Sequence, residues 1–134
     1  MPYLVERSAV ADEQFTIIAA RAAASPDTAE GILWREVEKE LTVFVTNPEQ
    51  VMSRTHQFTK TGHDFGNVFR TKPTGRTRLF YIASSRLQVV RVLYLGMLRK
   101  EGDKKDAYKE FSRLLKAGRF DADFAALRVG KPDG

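Results

Sequence analysis

Asn67-Val68-Phe69-Arg70-Thr71-Lys72-Pro73-Thr74-Gly75-Arg76-Thr77-Arg78-Leu79-Phe80-Tyr81-Ile82-Ala83-Ser84, continued by Leu87 to Leu95, is the stretch that decides the fold. Its side-chain pattern has period two, the signature of strands. Residues 67–72 predict one strand, and Pro73-Thr74-Gly75 a turn. Arg76 to Ser84 and Leu87 to Leu95 predict two more, linked near Ser85-Arg86. Ser84-Ser85 has no positioned base in sequence and reads as a hairpin turn. Three neighbouring strands with tight links predict an antiparallel meander ended by Gly96.

Outward from the meander the period lengthens. Upstream, Phe15, Ile18, Ala19 and Ala22 lie three and four apart, which predicts a helix over 10–24. Ser25-Pro26-Asp27 breaks it, and Asp27 with Glu30 resembles a capping box for a helix from Thr28 to Val45. That helix buries Leu33, Val37, Leu41 and Phe44 or Val45, and Asn47-Pro48 ends it. Tyr3-Leu4-Val5 is a candidate first strand. Residues 49–66 read as an exposed polar loop. Downstream, Asp103 caps a predicted helix to Ala117 whose stripe is Ala107, Phe111, Leu114 and Leu115; Gly118 stops it. Asp121 opens a last short helix with Phe124 and Leu127, and 128–134 read as a loose tail. Helices first and a meander after predict an α+β class, with 1–134 as a single domain.

Charge is unevenly placed. Residues 60–119 hold fifteen of the chain's 22 Lys and Arg but only five acids, a local charge near +10, whereas residues 1–59 are near −4. Such a cationic half suits a polyanion such as nucleic acid, or is simply a solvated face. Without Cys there is no disulfide, thiolate zinc or Cys nucleophile, and a cytoplasmic setting is expected. No run of about 20 apolar residues suggests a membrane span. His56 and His63 do not form a metal-binding pattern, so no metal and no cofactor are expected. His63, beside Asp64 in a Gly-flanked loop, is a second-rank candidate for catalysis.

The strands themselves carry cations. Arg70 and Lys72 sit two apart, as do Arg76 and Arg78 on the next strand, so each pair shares a face. Like charges side by side destabilise a sheet unless an anion neutralises them, and a phosphate diester does so. Arg76 is equally readable as a solvent-face charge. Arg91, between Val90 and Val92, reads as a structural guanidinium paired with an acid such as Asp106 or Glu110. Tyr108 is a core-edge aromatic or a phenol held beside the basic sheet.

Gly75-Arg76-Thr77-Arg78-Leu79-Phe80-Tyr81, Leu93-Tyr94-Leu95-Gly96 and the run Lys104-Lys105-Asp106-Ala107-Tyr108 with Phe111-Ser112, Leu115-Lys116 and Gly118 resemble the YhaV toxin family of the RelE/ParE superfamily. The resemblance covers nearly the whole chain, most firmly Gly75 to Leu127. It implies a RelE-like, microbial-ribonuclease-like α+β fold and the toxin of a type II toxin–antitoxin system. It also implies endoribonuclease action on mRNA, an mRNA interferase working on or near ribosomes. The partner implied is a PrlF-like antitoxin with an AbrB-type domain, and the complex would bind operator DNA. On the superfamily's pattern Arg70, Lys72, Arg78 and Tyr108 are the catalytic set. Arg76, Arg99, Lys100, Lys104 and Lys105 would contact RNA, one of the loop cations taking a catalytic role. The chemistry expected is metal-independent attack by the 2′-hydroxyl, which RNA itself supplies. The competing readings are a non-catalytic ParE-like gyrase inhibitor and a non-toxic basic nucleic-acid-binding regulator.

Overall fold

The structure, a computed structural model, describes residues 3–46, 67–97 and 106–132. In chain order these form β1 (Leu4–Arg7), α1 (Ala9–Ala24), α2 (Ala29–Thr46), β2 (Phe69–Thr71), β3 (Thr77–Ser84), β4 (Val89–Met97), α3 (Asp106–Lys116) and α4 (Asp121–Leu127). The α+β class and the meander β2-β3-β4 are as the sequence predicts. The sheet is mixed, in the order β1-β4-β3-β2, because β1 pairs parallel to β4 and not within the meander.

Helices cover both faces. On one, α1 and α2 bury Ala11, Phe15, Leu33 and Val37 against Leu79, Tyr81, Val90, Val92 and Leu95. On the other, α3 and α4 bury Ala107, Tyr108, Phe111, Phe120 and Phe124 against Phe80, Ile82 and Leu93. Alternation along β3 therefore deals its side chains to two cores. In β4 the alternation slips once. Phe80 pairs with Tyr94 but Tyr81 with Val92, so Leu93 is the extra residue of a bulge. Leu93 and Tyr94 consequently both contact the α3 side.

The ends of the elements are chemically determined. Ser8 caps α1, its Oγ accepting from the Ala11 amide at 3.0 Å. For α2 the capping hydroxyl is that of Thr28, which accepts from the Gly31 amide at 3.3 Å, rather than the expected Asp27 carboxylate. Gly118, at φ +77°, closes α3 in a Schellman motif: the Gly118 amide donates to the Leu115 carbonyl and the Arg119 amide to the Leu114 carbonyl. β4 begins at Val89, two residues later than the pattern predicts, because Ser85 to Gln88 form the turn and Gln88 sits at φ 56°.

Arg91 has the structural role expected of it but not the expected partners. It donates to Asp123 of α4 at 2.6 Å and to Glu6 of β1 at 2.9 Å; of the two expected acids, Glu110 pairs with Arg113 instead, and the Asp106 side chain lies outside what the structure describes. Glu6 lies opposite it across the parallel pair, and Asp123 is brought in by α4. Asp123 is only 7% exposed, so removing its cation strands a buried carboxylate. The Arg91→Met variant is expected to lose about 2–4 kcal/mol, somewhat under the usual cost of breaking a fully buried pair, as measured by urea denaturation. No helix among the described residues is long and apolar enough to cross a membrane.

Candidate active site

The site lies on the α3 face of the sheet, at the end where β2, β3 and the last residues of β4 meet the first turn of α3. Arg70 is directly opposite Phe80, Phe80 is opposite Tyr94, and Arg78 is opposite Gly96. These pairings put Arg70, Phe80 and Tyr94 in a row across three strands, with Arg78 one step along β3 on the same face.

Arg78 is only 8% exposed. Its Nη1 donates to two carbonyls of its own turn, Gly75 at 3.2 Å and Thr77 at 2.8 Å. Thr74 and Thr77 stiffen that turn: the Thr74 amide donates to Thr77 Oγ1 at 3.0 Å, and the two hydroxyls share a hydrogen bond at 2.9 Å. The carbonyls hold one edge of the guanidinium, and its Nε is buried with no hydrogen-bond partner among the described residues. No acid pairs with Arg78 among the described residues. Burial lowers its pKa below the ordinary arginine value, and the nearby charge of Arg70 lowers it further. The same burial lowers Arg70. Both remain cations at neutral pH, since an arginine's ordinary value is far above it. Two partly desolvated guanidiniums beside one another are costly, and an anion between them removes that cost.

Arg70 Nη1 donates to the hydroxyl oxygen of Tyr108, and its guanidinium carbon is 5.6 Å from the centre of the Tyr108 ring. That bond uses an oxygen lone pair of the phenol. Tyr108 is both things the sequence allowed: its ring is core, edge-on to Phe80 at 5.7 Å, and its hydroxyl reaches the basic sheet. Beneath it Phe111 lies parallel to Phe80 at 4.4 Å, and Tyr94 stacks on Phe80 at 6.0 Å.

The remaining candidates are less concentrated. Lys72 follows the end of β2 and is exposed, so it does not share a regular strand face with Arg70. Arg76 is exposed in the turn before β3 and so is not paired in the strand with Arg78. His63, Arg99, Lys100, Lys104 and Lys105 lie outside the described residues.

Two contributors have weak signals in sequence. Gly96 reads there as a strand terminator but is a strand residue required by close approach. A Cβ on it would come 2.6 Å from Ala107 Cβ and 3.1 Å from the Phe80 ring, so the first turn of α3 sits on bare backbone. The carbonyls of Gly75 and Thr77 that grip Arg78 carry no side-chain signature at all.

Searches of curated proteins and of solved structures returned no match. A family model described as a toxin with endonuclease activity, of a toxin–antitoxin system, matches residues 29–130. Arg70, Arg78, Gly96 and Tyr108 all fall inside that range. With about three quarters of its length matched, the chain belongs to the YhaV toxin family, endonucleases of toxin–antitoxin systems.

Proposed function

We propose that the endonuclease activity is directed at RNA and proceeds by attack of the 2′-hydroxyl on the adjacent phosphate, without a metal ion. The observation that carries this reading is the buried Arg78, held by carbonyls on one edge and, among the described residues, lacking an acid and leaving Nε unpartnered beside a second guanidinium. A phosphate oxygen supplies what that arrangement lacks. Arg78 and Arg70 bind the scissile phosphate and stabilise the charge that builds on it. Tyr108, with Arg70 on its oxygen, acts at the sugar or the leaving group. The 2′-oxygen bonds to phosphorus, the bond from phosphorus to the 5′-oxygen breaks, and a proton passes from the first oxygen to the second. Lys72 assists at the phosphate. Arg76, Arg99, Lys100, Lys104 and Lys105 track the RNA backbone.

On this reading the substrate is mRNA, cut on or near the ribosome in the cytoplasm. The neutralising partner is a PrlF-like antitoxin of AbrB type, and the toxin–antitoxin complex binds its operator. The family resemblance supports these finer assignments, and the +10 charge of residues 60–119 supports a polyanionic substrate.

The test is cleavage in excess EDTA of an RNA and of the same strand carrying a single 2′-deoxy residue at the cut. The all-RNA strand is expected to be cut, leaving a 2′,3′-cyclic phosphate and a 5′-hydroxyl, and the deoxy strand to survive. Loss of activity in EDTA, or cutting past the 2′-deoxy residue, overturns the reading. Tyr108→Phe, which keeps the ring against Phe80 and removes only the hydroxyl, is expected to slow cleavage roughly 10²-fold, read as a single-turnover rate.

A further inference from the structure

The first 28 residues lie outside the matched family range, yet two of their side chains extend the edge of the sheet on which the site is built. β1 ends at Arg7, whereas its neighbour β4 runs on to Met97. Beyond that point the outer edge of β4 needs other partners. Ser8 supplies the first: its amide donates to the Val92 carbonyl at 2.8 Å and its hydroxyl to the Leu93 carbonyl at 2.6 Å. Gln14, from the second turn of α1, supplies the next, at Leu95. Its Nε2 donates to the Leu95 carbonyl at 2.9 Å, and its Oε1 accepts from the Leu95 amide at 2.9 Å. One carboxamide thus makes both bonds that a strand residue would have made.

Leu95 is buried, and the residue after it is Gly96. Gly96 pairs with Arg78 across the sheet, and the first turn of α3 rests on it through Ala107, the neighbour of Tyr108. The Leu95–Gly96 backbone is therefore the shared support of Arg78 and Tyr108. A displacement of about 1 Å in such a support is enough to cost orders of magnitude in rate.

We propose that Gln14 is a positioning residue for the nuclease site, fixing Leu95–Gly96 so that Arg78 and the first turn of α3 keep their spacing. It touches no substrate. This rests on the assignment of Arg78 and Tyr108 given above. No pattern in the sequence marks it, since a glutamine on a half-buried helix face looks like a solubilising residue.

The test compares Gln14→Met, which keeps the length and loses both bonds, with Gln14→Glu, which keeps the acceptor for the Leu95 amide and loses the donor. Full-length protein, freed from its antitoxin, is assayed below the melting temperature of each variant. The single-turnover rate at saturating RNA is expected to fall about 10-fold in Gln14→Met and by a smaller factor in Gln14→Glu. Affinity for a 2′-O-methyl oligonucleotide, which binds but is not cut, is expected to stay within about 2-fold, because the phosphate contacts remain. A purely structural role would lower the folded fraction and leave the rate of the folded protein unchanged. Wild-type rates in both variants, or a rate loss matched by an equal loss of affinity, overturn the proposal; should Gln14→Met fail to fold, Gln14→Glu alone decides. Arg78→Ala and Tyr108→Phe are run alongside. If they lose rate and the Gln14 variants do not, only the Gln14 proposal falls; if they keep full rate, the site assignment falls and Gln14 with it.

Discussion

Arg78→Ala is expected to lower the single-turnover rate of RNA cleavage by about 10²–10³-fold, with little change in stability. The first figure is the usual cost of removing one preorganised donor from a charged transition state. Preorganisation is the relevant property here. The Gly75 and Thr77 carbonyls fix the guanidinium before substrate arrives, so little ordering remains to be done in the transition state. The second expectation follows from the same contacts read as stability. Arg78 is buried without an acid among the described residues, and both burial and Arg70 disfavour its charge. Removing it gives up two hydrogen bonds to carbonyls and relieves a desolvated like-charge contact, and the two effects oppose each other. Functional sites often carry destabilising groups of this kind.

The pH dependence has a definite sign. A base whose folded pKa is lowered destabilises the fold while it is charged, and that cost disappears only as pH rises through the lowered value. Because an arginine's ordinary value lies far above neutrality, the cost is present throughout the neutral range. The stability difference between wild type and Arg78→Ala should therefore be flat from about pH 6 to 9, whereas a carboxylate partner would make it vary at the acid end. Denaturation curves at three pH values check this. Wild-type cleavage by a folded Arg78→Ala protein would remove Arg78 from the mechanism.

Much of this arrangement is legible in the sequence because it is local. The period of two over residues 67–95 gives the meander, and the meander alone puts Arg70 and Arg78 on neighbouring strands. The spacing of Ala107, Phe111, Leu114 and Leu115 gives the buried stripe of α3, and Gly118 its end. Sequence reading falls short where a partner is distant. The parallel seat of β1 on β4 joins segments some 85 residues apart, and neither strand's composition names the other. Arg91 is structural, as its apolar strand suggests, but its acids come from β1 and α4, two elements brought together only by the finished sheet. The bulge at Leu93 changes which face the end of β4 presents, and simple alternation does not foresee it. Lys72 and Arg76 are displaced from strand to flank because β2 is three residues long and β3 begins at Thr77. In each case the backbone pairing overrode a pattern that holds only within one segment.

Phe111→Ala should be the most damaging single change to the fold, and its effect should extend to catalysis. Phe111 is fully buried and lies parallel to Phe80 at 4.4 Å, with Phe120 at 5.4 Å and Tyr94 at 6.1 Å. Truncating a buried phenylalanine costs about 3–5 kcal/mol, lost transfer energy plus the cavity left behind. Aromatic pairing adds about 0.5–1.5 kcal/mol beyond area for a well-placed pair. Against a total of about 5–15 kcal/mol that is a large share, so the urea midpoint should fall sharply. Phe111→Leu keeps most of the volume and should cost far less. The reach into catalysis follows from position. Phe80 lies between Arg70 and Tyr94 in register and supports the Tyr108 ring edge-on. A cavity under Phe80 lets that ring move, and the phenol and its Arg70 partner move with it. Assayed in conditions where Phe111→Ala is still folded, cleavage should drop more than the folded fraction does. A variant that loses stability but keeps the wild-type rate per folded molecule would show that the aromatic stack holds the domain together without setting the position of Tyr108.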